Sequence, residues 1–215
     1  MIVTIQIFGF LVLIFSIVIH EFSHGWMADQ LGDPTARFMG RLTLNPIPHI
    51  DPLGSVIVPL FLLLTRAGFV IGWAKPVPYN PYNLKDQKKG PALVALAGPL
   101  SNLMVAVIFG VVVRLLVAQG NTANMTIALF DLIILYNVML AMFNLVPLPP
   151  LDGSKILEAI LPQSMRGGMQ FLEKNYMLFL LIFIFFGFQY IEPVMAILYY
   201  VIAGVPAGNM LTLVL

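Results

Sequence analysis

The chain has 215 residues, of which 60% are hydrophobic and 10% charged, and a net charge of +1. A soluble domain carries about 25% charged residues. The deficit, with a mean hydropathy of +0.94, predicts an all-α polytopic membrane protein, with residues 1–215 as a single membrane-embedded domain in contact with the lipid bilayer. The near-zero net charge points to no nucleic-acid partner. The absence of cysteine excludes disulfides and thiolate metal ligands, so any metal must be held by His, Asp or Glu.

The run from Ile2 to Ile19 has no charged residue and leads directly into His20-Glu21-Phe22-Ser23-His24. It lacks the basic start and small-residue cleavage site of a secretory signal, so it reads as a retained transmembrane helix from about Val3 to Gln30. Gly32-Asp33-Pro34 ends it. Residues four apart on a helix share a face, roughly 6 Å apart along the axis. His20 and His24 can therefore grip one zinc ion, with Glu21 beside them as a general base. The other reading is two helix-end histidines facing headgroups, which the cost of polar groups near hydrocarbon disfavours.

Phe38 to Asp51, with Pro46 and Pro48, predicts irregular backbone. Leu53 to Thr65 is apolar for only 13 residues, short of the span length of about 20, and predicts a re-entrant or partial helix. Phe69 to Trp73 has strand character, confined to an edge by the prolines after it. Lys85, Lys88 and Lys89 read as a juxtamembrane anchor on anionic lipid. A second long helix spans about Pro91 to Ala118 and opens on Ala97-Gly98-Pro99-Leu100-Ser101-Asn102, where small residues allow close helix approach. A neutral linker, 119–124, precedes a third helix from about Thr126 to Leu145. An amphipathic stretch to Leu161 and a loop through Lys174 follow. Tyr176 to Val205 is apolar again, as one kinked span or two short ones around Glu192-Pro193. The whole gives about five to six membrane segments, with a small re-entrant or β-hairpin element between the first two long helices.

Two histidines leave a zinc site short of its usual three protein ligands. Asp29 and Asp33 face a helix end and a turn, and Asp131 lies deep in the third long helix. Asp152 follows Pro147-Leu148-Pro149-Pro150-Leu151, where three prolines in five residues break the helix. Gly153 lets the backbone turn sharply. Unwound backbone at membrane depth is tolerated where it lines a cavity or is buried in protein, which makes Asp152 a ligand candidate. Its alternative role is an Asp cap on the next helix. His49 reads as a hydrogen-bonded loop residue at least as readily as a catalytic one, Asn102 as an interhelical hydrogen-bonding group, and Arg114 as a snorkelling side chain.

HEFSH in the first helix, AGPLSN at the start of a later one and NLVPLPPLDG after the next resemble the site-2 protease (M50) metalloproteases. GRLTLNPIPHIDPLG and IGWAKPVPYNP resemble its short prokaryotic members, without PDZ-like or CBS-like domains. The resemblance implies His20, His24 and Asp152 as ligands of one catalytic Zn2+, Glu21 as catalytic base, and Asn144 in the active site, steadying the substrate carbonyl or the oxyanion.

A shared metal imposes a topology. His20 and Asp152 must meet at one depth, so the first and third long helices run parallel and the second runs against both. Lys75, Lys85, Lys88, Lys89, Lys155 and Lys174 then fall on one side, which the positive-inside rule makes cytoplasmic. The N-terminus lies outside and the zinc in the cytoplasmic half of the cell membrane. The expected function is an intramembrane zinc metalloendopeptidase acting within or near transmembrane segments of protein or peptide substrates, with homo-oligomerisation left open. A substrate strand would add at Phe69 to Trp73. The alternative is a membrane zinc carrier using the same His and Asp ligands. A carrier needs no general base beside a ligand histidine and commonly shows internal repeats, which this sequence lacks.

Overall fold

The computed structural model describes residues 2–65, 72–120 and 125–205. Among these there is no β-strand. Among the described residues, four helices are long and apolar enough to cross a membrane: α1 (Ile2–Gln30), α4 (Gly90–Ala118), α5 (Met125–Asn144) and the run Tyr176–Ala203. Each is apolar around most of its circumference, as a span must be. Between α1 and α4 lie a single turn, α2 (Thr35–Phe38), and a π-helical turn, Pro52–Ile57, that continues into α3 (Val58–Leu64). This 52–64 segment is helical but too short to span, as its length predicts. Of the expected strand, Phe69 to Ile71 lie outside the described residues, and from Gly72 to Asn80 the chain has no regular structure. Most of the neutral linker, 121–124, likewise lies outside them.

Two further helices follow α5. The amphipathic stretch is α6 (Asp152–Ile160), and the expected loop through Lys174 is instead largely helical, as α7 (Arg166–Lys174). Lys155 ties the two together through Glu173 at 3.1 Å, and pairs within α6 with Glu158 at 3.2 Å. The last apolar region is one helical run rather than two spans: α8 (Tyr176–Ile182), a π turn at Phe183–Gly187, and α9 (Phe188–Ala203).

The helix ends follow the sequence. α1 closes on Gly32 at φ 109°, with Asp33 N–H donating to Ala28 O and Gly32 N–H to Asp29 O, the hydrogen-bond pair of a Schellman motif. α9 closes on Gly204 at φ 76°. There Arg114, expected to snorkel, donates to the end carbonyls of α9 instead: Nε to Ile202 O at 2.9 Å and Nη2 to Val201 O.

Packing centres on α4, which touches α1, α5, α6 and α9. Ser16 and His20 of α1 meet Asn102 of α4, while His24, one turn further on, meets Val94. Rising numbers in α1 meet falling numbers in α4, so the two are antiparallel. Asp152, just past the end of α5, reaches His20 and His24, which makes α1 and α5 parallel, as the shared-metal argument requires. Away from this end, Ala106, Val113, Ile134, Val138, Met195 and Tyr199 form the apolar core between α4, α5 and α9.

Candidate metal centre

His20 and His24 project from the last third of α1 toward the first turns of α4. His20 Nδ1 lies 2.7 Å from Asn102 Oδ1, and His24 Nδ1 lies 2.7 Å from Val94 O. Carbonyl oxygens only accept, so each Nδ1 carries a proton and each ring turns its Nε2 inward. Both Nε2 atoms face Asp152 Oδ2, at 3.1 Å from His20 and 3.3 Å from His24. The three side chains are 8, 12 and 19% exposed, and Oδ2 is a buried oxygen without a hydrogen-bond partner. Two imidazole nitrogens and a carboxylate oxygen converging in a buried site are a donor set that a divalent cation would satisfy.

The residues fit zinc. Tetrahedral zinc with N and O ligands at about 2.0–2.2 Å has ligand–ligand edges of about 3.3–3.6 Å, close to the two distances observed. His20, His24 and Asp152 form the metal-competent cluster among the described residues. Nδ1 hydrogen bonds to an amide and a main-chain carbonyl are the outer-shell contacts that fix metal-binding imidazoles.

Local sequence makes the approach possible. A Cβ on Gly98 would lie 2.5 Å from His24 Nε2 and 2.6 Å from His20 Cε1, so the turn of α4 under the rings must be glycine. Pro99 follows it and removes the helical donor to Ala95 O in that same turn. A Cβ on Gly153 would lie 2.3 Å from Leu145 O and 2.4 Å from Val146 O. Glycine there lets α6 start against the end of α5 and carry Asp152 back to the histidines.

Behind His20 lies a buried polar network. Asn102 Nδ2 donates to Asn137 Oδ1 at 2.9 Å and Ser16 O at 3.1 Å, and Asn137 Nδ2 donates to Ser16 Oγ at 2.9 Å. Asn102 is thus an interhelical group, as expected. Asn137 and Ser16 escaped the sequence reading. The signal was present: Ser16, His20 and His24 recur every four residues along one face of α1, and Asn137 interrupts an apolar span.

Glu21 is held on the neighbouring face, its Oε2 accepting from Val77 N–H at 2.8 Å. Asn144 ends α5 with its Nδ2 donating back to Leu140 O at 2.9 Å, turned toward its own helix. His49 is buried and hydrogen-bonded in its loop, with Nε2 donating to Thr43 O at 2.9 Å. Trp73 N–H donates to Gly54 O and Trp73 O accepts from Ser55 Oγ. The described end of the expected substrate-pairing strand is therefore spent on the 52–57 turn. A Cβ on Gly54 would fall 2.3 Å from the Trp73 indole, so the indole stacks where only glycine leaves room.

The Peptidase family M50 model matches residues 114–188. "Putative zinc metalloprotease YwhC" of Bacillus subtilis is 39% identical over 178 residues, covering 80% of this chain and 78% of that protein. The chain belongs to peptidase family M50. Among other relatives of this M50 peptidase, Rip2 of Mycolicibacterium smegmatis is 31% identical over 70% of the chain and 56% of its own length. "Zinc metalloprotease MJ0392" of Methanocaldococcus jannaschii is 30% identical over 71% of the chain and 34% of its own length. No solved structure matches. None of these names favours the zinc-carrier alternative.

Proposed function

We propose that this M50 peptidase is a zinc endopeptidase that cuts membrane-protein substrates within or beside their transmembrane segments, with His20, His24 and Asp152 as zinc ligands and Glu21 as general base. One observation carries the reading: two imidazole Nε2 atoms and a buried carboxylate oxygen converge where the ends of α1 and α5 meet α4, with a second carboxylate one residue from the first histidine.

Zinc at this position supplies Lewis-acid activation of water and of the scissile carbonyl. Asp152 and the two histidines hold their donor atoms inward, and Asn102 and Val94 O lock the rings. Glu21 accepts the proton of the attacking water and returns it to the leaving amine. Asn144, released from Leu140 O, directs its amide at the developing oxyanion. The substrate helix unwinds at the cleavage point, because a helical peptide group is already hydrogen-bonded and shielded.

The charge distribution supports an orientation. Lys75, Lys85, Lys88, Lys89, Lys155 and Lys174, with Arg37, Arg41 and Arg166, flank the metal end of the bundle, and Arg114 caps the opposite end. By the positive-inside rule the metal end lies toward the cytoplasmic half of the cell membrane and the N-terminus outside.

The test is Glu21→Gln in the full chain, with zinc per chain measured by mass spectrometry and membrane fragments compared by proteomics. The variant is expected to keep its zinc and to lose cleavage by about 10²–10⁴-fold. Unchanged cleavage would sink the assignment.

A further inference from the structure

The extended run Lys75-Pro76-Val77-Pro78-Tyr79-Asn80 is tethered along its length beside α1. Lys75 N–H donates to His49 O at 2.9 Å. Buried Arg41 donates through Nη2 to Lys75 O at 2.7 Å and Pro76 O at 3.3 Å. Asn80 N–H donates to Asp33 Oδ2 at 2.5 Å, and Asp33 is itself wholly buried and bound by Thr35 and Asn83.

Between these anchors, Pro76 and Pro78 have no N–H, so Val77 is the sole main-chain donor of the Pro-Val-Pro run. Each residue before a proline is held extended, which fixes the direction of that N–H before any partner is met. The Val77 side chain is buried against α1. A Cβ on Gly25 would lie 2.8 Å from Val77 Cγ1 and from Leu42 Cδ2, so the seat exists because residue 25 is glycine. Glu21 is one helical turn before Gly25, on the same face, and its Oε2 receives the Val77 N–H at 2.8 Å.

We propose that Val77 is a positioning residue for Glu21: its main-chain N–H, isolated between two prolines and clamped by Arg41 and Asp33, holds one carboxylate oxygen and leaves the other to face the water it deprotonates. The inference rests on the reading of Glu21 as general base. The Lys75 to Asn80 segment is then a brace for the base, with its donors at Lys75, Val77 and Asn80 committed to this chain and withheld from substrate pairing.

The experiment uses the full chain in detergent and has two arms. In the first, amide exchange is followed residue by residue in wild type and Glu21→Ala. Val77 is expected to exchange at least about tenfold faster in the variant, the weight of one hydrogen bond to a charged group, while Asn80 is unchanged. An unaltered Val77 rate overturns the contact. In the second arm, fluorescein-labelled casein serves as an unfolded probe that needs no helix opening. Val77→Pro, which deletes the donor, is expected to lower kcat about tenfold or more with KM and zinc per chain retained. Val77→Ala, which keeps the donor, is expected to retain at least about ten times the kcat of Val77→Pro. Wild-type kcat in Val77→Pro overturns the proposal. If that variant does not fold or casein is not cut, the exchange arm decides alone. Glu21→Gln is run alongside: full casein cleavage there removes the general-base reading, whereas the Val77 exchange rate reports on the contact independently.

Discussion

The two ends of the helix bundle are held together by different physics. At the metal end, α1, α4, α5 and the start of α6 are joined by Ser16, His20, Asn102, Asn137 and Asp152, each with a partner on another element. At the far end, α4, α5 and α9 meet mainly through apolar side chains, joined by Tyr199 Oη donating to Asp131 Oδ1 at 2.7 Å and by Arg114 at the rim. Apolar packing in a bilayer fills space but tolerates sliding, since lipid is as apolar as the side chains. Polar groups at that depth are costly unless paired, so a network of them admits one register. The chain spends its few polar side chains where donor atoms must be set to tenths of an ångström.

The sharpest break of that contrast comes from the network. Asn102→Leu removes the acceptor that fixes the His20 ring and strands the Asn137 amide. Zinc affinity is expected to fall about 10–100-fold, measured by competition with a chelator, with the helix content unchanged. An unaltered affinity would mean that packing alone orients the ring.

A second test addresses the brace at the metal end. Burial alone would raise the Asp33 pKa, but hydrogen bonds from Thr35, Asn83 and Asn80 outweigh it and hold the carboxyl below its ordinary value. Such a group stabilises the fold above the unfolded value of about 3.9, and that contribution is lost as pH falls through the lower folded value. Asp33→Ala is expected to cost about 1–3 kcal/mol at neutral pH, and its thermal midpoint should fall less steeply than wild type on acidification. Parallel acid profiles would remove Asp33 from the account.

The smallest effect is expected at the far end. Tyr199→Phe keeps the ring and deletes the hydrogen bond to Asp131. Interhelical hydrogen bonds in membranes average about 0.6 kcal/mol, so stability in detergent should change by about that amount, with zinc affinity untouched. A loss of zinc would show the two ends to be coupled.

Much of the site could be read directly. The four-residue spacing of His20 and His24 needs only a helix, and a shared metal forces α1 and α5 parallel with α4 against them. The apolar runs defined the long helices nearly to the residue, because in lipid a span must satisfy its own backbone. What the one-dimensional pattern missed has local causes. α7 was hidden because Gly167-Gly168 weakens helix propensity, and its helix gains from the Lys155–Glu173 tie. Arg114 is a headgroup-seeking cation by composition and a cap for α9 only once α9 is beside it.

The sequence by itself determined the solvent, the first three long helices, two histidines on one helix face, the adjacent carboxylate and a third acid after a proline break. These follow from periodicity and from the cost of polar groups in hydrocarbon. Only the tertiary structure decided which groups stand behind these side chains: Asn137 and Ser16 behind His20, Val94 O behind His24, and Val77 N–H on Glu21. Those contacts join residues 35 to 121 positions apart, and no local pattern encodes which two helix faces, or which lone N–H between prolines, will be brought together.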